Sequence, residues 1–366
     1  MRDSVLLGFH RKEMKFVSPL LKHVVYPVLA RSGYLSRNAS AGPVVVTYHG
    51  ILSEEYQIIN FVLDGNFVSA DSFRRQLRLL KDRYNVISPE QFLLWCQSKQ
   101  PLPPRSVLLT CDDGLQNVLT DMVPILQEFG FSCLFFITGA SLEDMPSMLW
   151  YDELYLMMVA APDTLTWDYS KLDIHVCAIG RQEKHSLWWN LVRKLSQFDS
   201  ASRRKILEQM RADWGLPEHW DAVYRDHPVL RNRFFTLGLA ELRQLSAFGM
   251  SIGAHTFSHP MLSQLPSELA WNEISEPLHA LEQALRQPIW AMAYPFGDPG
   301  SVGQREMEMA ERAGYSCAFI NQEGSLDAKS SGFALPRMHV TGDMNLAEFE
   351  AHVSGFYQRL RNFLGA

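Results

Sequence analysis

The chain has 366 residues and a mass of 41.8 kDa, with 47% hydrophobic, 11% aromatic and 20% charged residues. It can therefore bury a large core as one big domain or two modest ones, and that composition excludes extensive disorder. The net charge of −6, with no dense Lys/Arg block, leaves nucleic acid outside the expected partners. Five cysteines, Cys96, Cys111, Cys133, Cys177 and Cys317, are an odd number without C-x-x-C spacing, which points to a reducing compartment and no disulfide framework.

The apolar start Val5-Leu6-Leu7-Gly8-Phe9 is broken at once by His10-Arg11-Lys12-Glu13, unlike a secretory signal. No run reaches the roughly 18–20 apolar residues that span a bilayer. Across residues 12–35, Lys12, Lys15, Lys22 and Arg31 mix with Phe16, Leu20, Leu21, Val24 and Val25. A basic amphipathic helix of this kind either packs on its own domain or rests on an anionic membrane surface. Residues 1–42 read as an N-terminal helical segment, and the expected location is cytoplasmic, with peripheral contact at the inner membrane face if the second alternative holds.

Gly42-Pro43 opens a strand, Val44 to Tyr48, that ends at His49-Gly50. Phe73, Leu77 and Leu80 at helical spacing predict a helix from Ala70 to about Tyr84. Val86-Ile87-Ser88-Pro89 and a short helix, Glu90 to Gln97, lead to a strand through Val107-Leu108-Leu109. A helix over 118–129 stops at Gly130, and Ser132 to Ile137 forms the next strand. Alternating strands and helices imply a parallel sheet or α/β barrel.

From 145 to 235 the rhythm changes. The pattern becomes helical, as in 186–195 and 202–214, and Trp150, Trp167, Trp188, Trp189, Trp214 and Trp220 fall here. This is read as a helical subdomain inserted into a barrel that otherwise spans 43–366. Most of its tryptophans are expected in a small core, and others could stack on sugar faces. The alternation resumes with helices at 239–248, 267–286 and 305–313, and strands at 251–254, 289–294, 316–320 and 334–338. The fold class is thus α/β: a distorted (β/α) barrel of about seven strands with a Trp-rich insertion.

Two short stretches carry chemistry. Thr110-Cys111-Asp112-Asp113-Gly114 and His255-Thr256-Phe257-Ser258-His259 each follow an apolar strand. Strand ends can converge at one mouth, where one carboxylate and two imidazoles make a three-ligand metal set with room for water. The second carboxylate is then free to act as a base. Alone, each motif has an ordinary explanation, an acidic helix start or a solvated histidine face. Asp152, in Trp150-Tyr151-Asp152, reads as a helix cap.

These stretches resemble the T-F-D-D-G and H-[ST]-x-x-H motifs of polysaccharide deacetylases, the NodB-homology or carbohydrate esterase 4 group. Ala293-Tyr294-Pro295-Phe296-Gly297 is similar to the family's third motif. Leu335-Pro336-Arg337-Met338-His339 lies where its last histidine is expected, and Val46-Thr47-Tyr48-His49-Gly50 resembles a strand end of bacterial members. The resemblance implies that Asp113, His255 and His259 hold a divalent metal, with zinc expected, and that Asp112 is the base. It implies an oxyanion-binding backbone N–H near Tyr294, with Tyr294, Pro295, Phe296 and Arg337 as substrate or oxyanion contacts. The general acid would be His339, with His49 second. An imidazole close to a carboxylate is expected to keep its proton near neutral pH. Cys111 replaces the usual Phe, and the Arg that orients the base is missing where Ala291 and Ala293 stand. Arg337 either replaces it or is structural. The implied activity is removal of N-acetyl groups from an amino sugar in a glycan or glycan precursor. An O-acetyl esterase, another amide hydrolase or a glycan-binding scaffold are the alternatives.

Overall fold

The computed structural model describes residues 19–59, 61–98, 100–142, 145–162, 167–169, 174–176, 184–298, 300–324, 326–327 and 330–364. Its centre is a curled parallel sheet. In chain order the strands are β1 (Val44–Tyr48), β2 (Asn85–Ile87), β3 (Ser106–Cys111), β4 (Leu134–Ile137), β5 (Ser251–Ala254), β6 (Ala291–Ala293), β7 (Cys317–Phe319) and β8 (Met338–His339). The spatial order is β7-β6-β5-β4-β3-β1-β8, with β2 paired to the first half of β3 and β4 to its second half. A single bridge between Phe319 and Leu335 brings the chain from the β7 edge back toward β8. All six residues of β3 are buried, as a parallel strand covered on both faces requires.

Two strand expectations change at the end of the chain. The predicted strand over 334–338 survives as the Leu335 bridge and the two residues of β8, because Pro336 between them has no N–H for the ladder. Residues 85–87, expected only as a lead-in, form a full ladder with β3.

The helices follow the predicted periodicity. The helix α1 (Ala70–Arg83) buries Phe73, Leu77 and Leu80, and Ser69 caps it by accepting the Ser72 N–H at 3.2 Å. Gly130, at φ 72°, ends α2 (Val123–Phe129) in the left-handed region that glycine enters without strain. The N-terminal helices between Leu21 and Arg37 bury Tyr26 and Leu35 against Ala351 of a C-terminal helix, so this part of the N-terminal segment packs on its own domain. The share of the amphipathic pattern before residue 19 lies outside the described residues.

The insertion is a separate helical lobe, with α3 (Trp150–Ala160), α4 (Lys184–Leu195), α5 (Ser200–Asp213) and two short helices up to Phe234. A short antiparallel pair, Trp167–Tyr169 with Ile174–Val176, adds strands that the helical reading did not anticipate. The lobe packs around a core that it shares with Leu52, Tyr56, Leu63 and Phe67 of the barrel part, in which Trp150, Trp188 and Trp214 are buried and Trp189 and Trp220 partly so; the Trp167 side chain lies outside the described residues. Its entry and exit are pinned together by an antiparallel bridge between Met148 and Phe235 and by the Thr236 N–H donating to Ser147 O at 2.9 Å.

Candidate metal centre at the mouth of the barrel

The C-terminal ends of β1, β3, β5, β6, β7 and β8 open on a cavity of about 330 Å³. In α/β barrels the residues at these strand ends are placed to do chemistry. Backbone strain concentrates here. Among the described residues six non-glycines have positive φ, and four of these belong to the site: Asp113 at 75°, Thr256 at 59°, His259 at 55° and Phe296 at 60°. Each such residue costs on the order of 1–3 kcal/mol and persists only where the surroundings enforce it.

The turn after β3 separates the two carboxylates. The Asp112 N–H still donates to Tyr48 O at 2.9 Å in the sheet, whereas the left-handed Asp113 swings its side chain elsewhere. Gly114 follows at φ 69°, and a Cβ there would stand 2.8 Å from Ile137 Cδ1. Asp113 Oδ1 faces His255 Nε2 at 3.5 Å and His259 Nε2 at 3.4 Å, without a hydrogen-bond partner. Ligands sitting tetrahedrally about 2.0–2.1 Å from one zinc ion are roughly 3.3–3.4 Å apart, so these spacings fit an ion between them. His255 Nδ1–H donates to Ala293 O at 2.7 Å, which leaves Nε2 free as the ligand atom. The three residues are buried and their ligand atoms lie within 4.8 Å of one another. A donor set of one carboxylate oxygen and two imidazole nitrogens therefore suits a divalent ion.

Asp112 is clamped from the other side. Arg337 donates from Nη1 to Oδ1 at 2.6 Å and from Nη2 to Oδ2 at 2.7 Å, a bidentate pair with both partners almost fully buried. Burial alone would raise the Asp112 carboxyl, but Arg337 beside it outweighs this and holds it at about 2. Arg337 thus stands on Asp112, where an arginine that orients it would, and is not among the residues lining the cavity as its grouping with the substrate contacts expects. Cys111 is fully buried in the main core, as a packing replacement would be.

Two further expectations are corrected. The Tyr294 N–H donates to Phe319 O at 3.0 Å and its hydroxyl to Phe333 O at 3.1 Å, so the sheet edge uses the donors assigned to an oxyanion. Pro295 has no N–H, and Phe296 is the next donor along the loop. The Phe296 ring lies 5.1 Å from that of His259 and 6.3 Å from Trp189. His339 does stand beside His49, with ring centroids 4.7 Å apart, and both line the cavity. Burial first, and then the His49 charge, push His339 down to about 3 despite Asp112, so it does not store a proton at neutral pH.

The lobe supplies one wall of the cavity, through residues that the sequence reading did not name as site residues. Tyr151 donates from Oη to Asp113 Oδ2 at 3.2 Å, and Trp188, Trp189 and Val192 line the same cavity. Asp152 is not a cap. It is buried in the first turn of α3 and receives Arg233 Nη1 at 3.3 Å, while Arg233 Nε reaches Asp64 at 2.9 Å. Burial and the neighbouring Asp113 charge push the Asp152 carboxyl up to about 6, against the pull of Arg233. A signal was present: Asp152 and Glu153 are adjacent acids in the otherwise apolar helix Trp150–Ala160, and an acid that such a helix buries demands a partner.

Comparison with known proteins gives consistent relationships. The polysaccharide deacetylase family model matches residues 99–173 and 224–318, a span that holds both acidic residues, both histidines and Tyr294 but not His49, Arg337 or His339. The gap falls inside the lobe. A Bacillus subtilis (strain 168) protein, YxkH, assigned to the polysaccharide deacetylases, is 22% identical over 113 residues, 31% of this chain and 39% of that protein. The match therefore spans well under two thirds of that relative. The deacetylase PplD of Streptococcus pyogenes, solved with acetate, superposes with a TM-score of 0.53 at 18% identity, covering 86% of this chain and 99% of that one. IcaB from Ammonifex degensii gives a TM-score of 0.54 at 16% identity, over 86% of this chain and 98% of its own. At these identities the likeness establishes the fold, a curled parallel half-barrel with surrounding helices. The family-model match, which holds the first three motifs in their order, makes the chain a relative of the polysaccharide deacetylase family, the NodB-homology or carbohydrate esterase 4 group.

Proposed function

We propose that the chain is a metal-dependent hydrolase that removes N-acetyl groups from an amino sugar in a polysaccharide or glycan precursor. The observation that carries this reading is the division of labour between adjacent carboxylates. Asp113 turns toward His255 and His259, whereas Asp112, 4.0 Å from His255 Nε2, is held by Arg337. A protein that only binds glycans has no use for an ionised base beside three ligand atoms.

Asp113, His255 and His259 would hold the ion, zinc being favoured by the donor set. When bound, it would supply Lewis acidity for the acetamide carbonyl and for a water. Arg337 keeps Asp112 ionised and aimed, ready to take the proton of the attacking water. The Phe296 N–H, the next donor along the loop, would bind the oxygen on which charge develops. As the C–N bond breaks, the amine needs a proton. The proton that Asp112 takes from the water is the one available, and His339 is the proposed group that passes it to the amine, with His49 the alternative; an imidazole titrating near 3 gives up readily a proton delivered to it. The products are acetate and a free amino sugar.

Trp188, Trp189 and Phe67 give the cavity aromatic walls on which sugar faces can stack, and we assign the lobe the role of restricting which glycans enter. Leu20, Val24 and Val28 form an exposed apolar row on the N-terminal helix, which supports peripheral contact with a membrane from the cytoplasmic side. The test is metal analysis combined with acetate release from N-acetylated oligosaccharides, lipid-linked sugars and their O-acetylated counterparts. Release from the N-acetylated set by the metal-loaded protein is expected. Release from O-acetyl esters alone would make it an esterase, and no release with no bound metal would leave a glycan-binding scaffold.

A further inference from the structure

The lobe touches the candidate metal centre at three points. Tyr151 Oη donates to Asp113 Oδ2 at 3.2 Å, on the oxygen opposite the one that faces the imidazoles. Trp150 Nε1 donates to His259 O at 3.1 Å. Arg203, on α5 and 2% exposed, donates from Nη2 to Ser258 O at 2.9 Å and to Ser258 Oγ at 2.6 Å. Ser258 is also bound from the barrel, its N–H donating to Glu273 Oε2 at 2.7 Å and its hydroxyl to Glu273 Oε1. The residue just before His259 is therefore gripped between a lobe cation and a barrel anion. Tyr151 is itself anchored, its carbonyl accepting Trp188 Nε1–H at 2.8 Å and its ring 4.8 Å from that of His259.

We propose that the lobe is a structural half of the metal centre: Tyr151 is a positioning residue that presents Asp113 through Oδ1, and metal binding is coupled to lobe docking. The proposal rests on the reading of Asp113, His255 and His259 as ligands. A carboxylate has two equivalent oxygens and turns about its Cβ–Cγ bond, so a free Asp113 could present either oxygen or both. A hydroxyl held on Oδ2 removes that freedom. Hydrogen-bond partners of metal ligands are typically worth about 10–100-fold in metal affinity. Coupling is reciprocal, so an ion bound to groups that the lobe holds must in turn hold the lobe.

Tyr151→Phe removes the hydroxyl and keeps the ring packed on Trp150 and His259. The zinc dissociation constant of the full chain, measured by competition with a chromogenic chelator, should rise about 10–100-fold. The thermal midpoint of the metal-free protein should stay that of the wild type. Hydrogen exchange over residues 150–160 and 200–213 should slow when zinc is added to the wild type and slow less in the variant. Arg203→Met should weaken zinc binding in the same direction through the Ser258 contact. Tyr155→Phe, on the same helix with its ring packed on Trp188 inside the lobe, should leave zinc affinity unchanged. A wild type that binds zinc, with a Tyr151→Phe affinity within about twofold and no change in lobe exchange, overturns the coupling alone. A wild type that binds no divalent ion removes the ligand reading and this inference with it.

Discussion

Replacing Arg337 by Met takes the only bidentate cation from Asp112 and leaves a side chain of similar length in its place. The guanidinium is 1% exposed and also donates to Thr47 Oγ1 at 3.1 Å and Ile320 O at 3.3 Å, so no solvent can substitute for it. Two charges about 4 Å apart at an effective dielectric of roughly 20 interact by about 4 kcal/mol. Removing one partner of a buried pair typically costs about 3–5 kcal/mol, which agrees. At about 1.4 kcal/mol per pH unit, that loss should move the titration of Asp112 upward by roughly two to four pH units. The sign follows from burial. In the wild type Asp112 titrates at about 2, below its ordinary 3.8, so its contribution to stability is full above the ordinary value and fades as pH falls toward 2. In Arg337→Met burial is opposed by no more than the His255 and His49 charges, Asp112 rises, and the stability deficit is largest at neutral pH and shrinks on acidification. The assays are urea unfolding of the wild type, Arg337→Met, Asp112→Asn and the double variant, and the pH profile of kcat/KM for the active ones. The acidic limb should move up in Arg337→Met, and the double variant should be less destabilised than the sum of the singles. Additive losses together with an unmoved acidic limb would refute the pairing as the source of the base's ionisation.

The other predictions concern single roles. Purified protein should carry close to one divalent ion, and Asp113→Ala, His255→Ala or His259→Ala should each lose most of it; metal content unchanged in all three would end the ligand assignment. Asp112→Asn should keep the metal and the fold while losing at least the roughly 10²–10⁴-fold typical of general base catalysis, and near-normal turnover would show that another group activates the water. His339→Ala should slow hydrolysis of an amide more than that of an activated aryl ester, whose leaving group needs little protonation, and His49→Ala should show a smaller difference. Equal slowing of both substrates by His339→Ala would transfer the acid role to His49.

The strand–helix rhythm, the helix Ala70–Arg83 and the position of each motif at a strand end were legible because they depend on near neighbours. Apolar runs and 3.6-residue periodicity record burial segment by segment. The three candidate ligand residues were legible as a set for the same reason, each lying just beyond an apolar strand. Even the lobe announced itself through a change of pattern and a density of tryptophan. The fate of single donors was not legible. Nothing in Tyr294 and its neighbours says that its N–H is spent on Phe319, because that depends on the β7 edge folding alongside.

What the sequence by itself determined is the alternation of strands and helices that makes a parallel α/β fold, the chain order of its strands and the chemical kinds of group at its mouth. Only the tertiary structure decided which groups meet. Arg337 and Asp112 are 225 residues apart in the chain, and a bidentate pair across that distance exists only because β8 lies beside β1 and β1 beside β3. Tyr151, Asp152 and Arg233 became part of the cavity because the lobe is pinned back onto it at Met148 and Phe235. The protonation state of His339 is of the same kind. A residue's type sets its intrinsic affinity for a proton, but burial and the charges that surround it in space decide where it titrates.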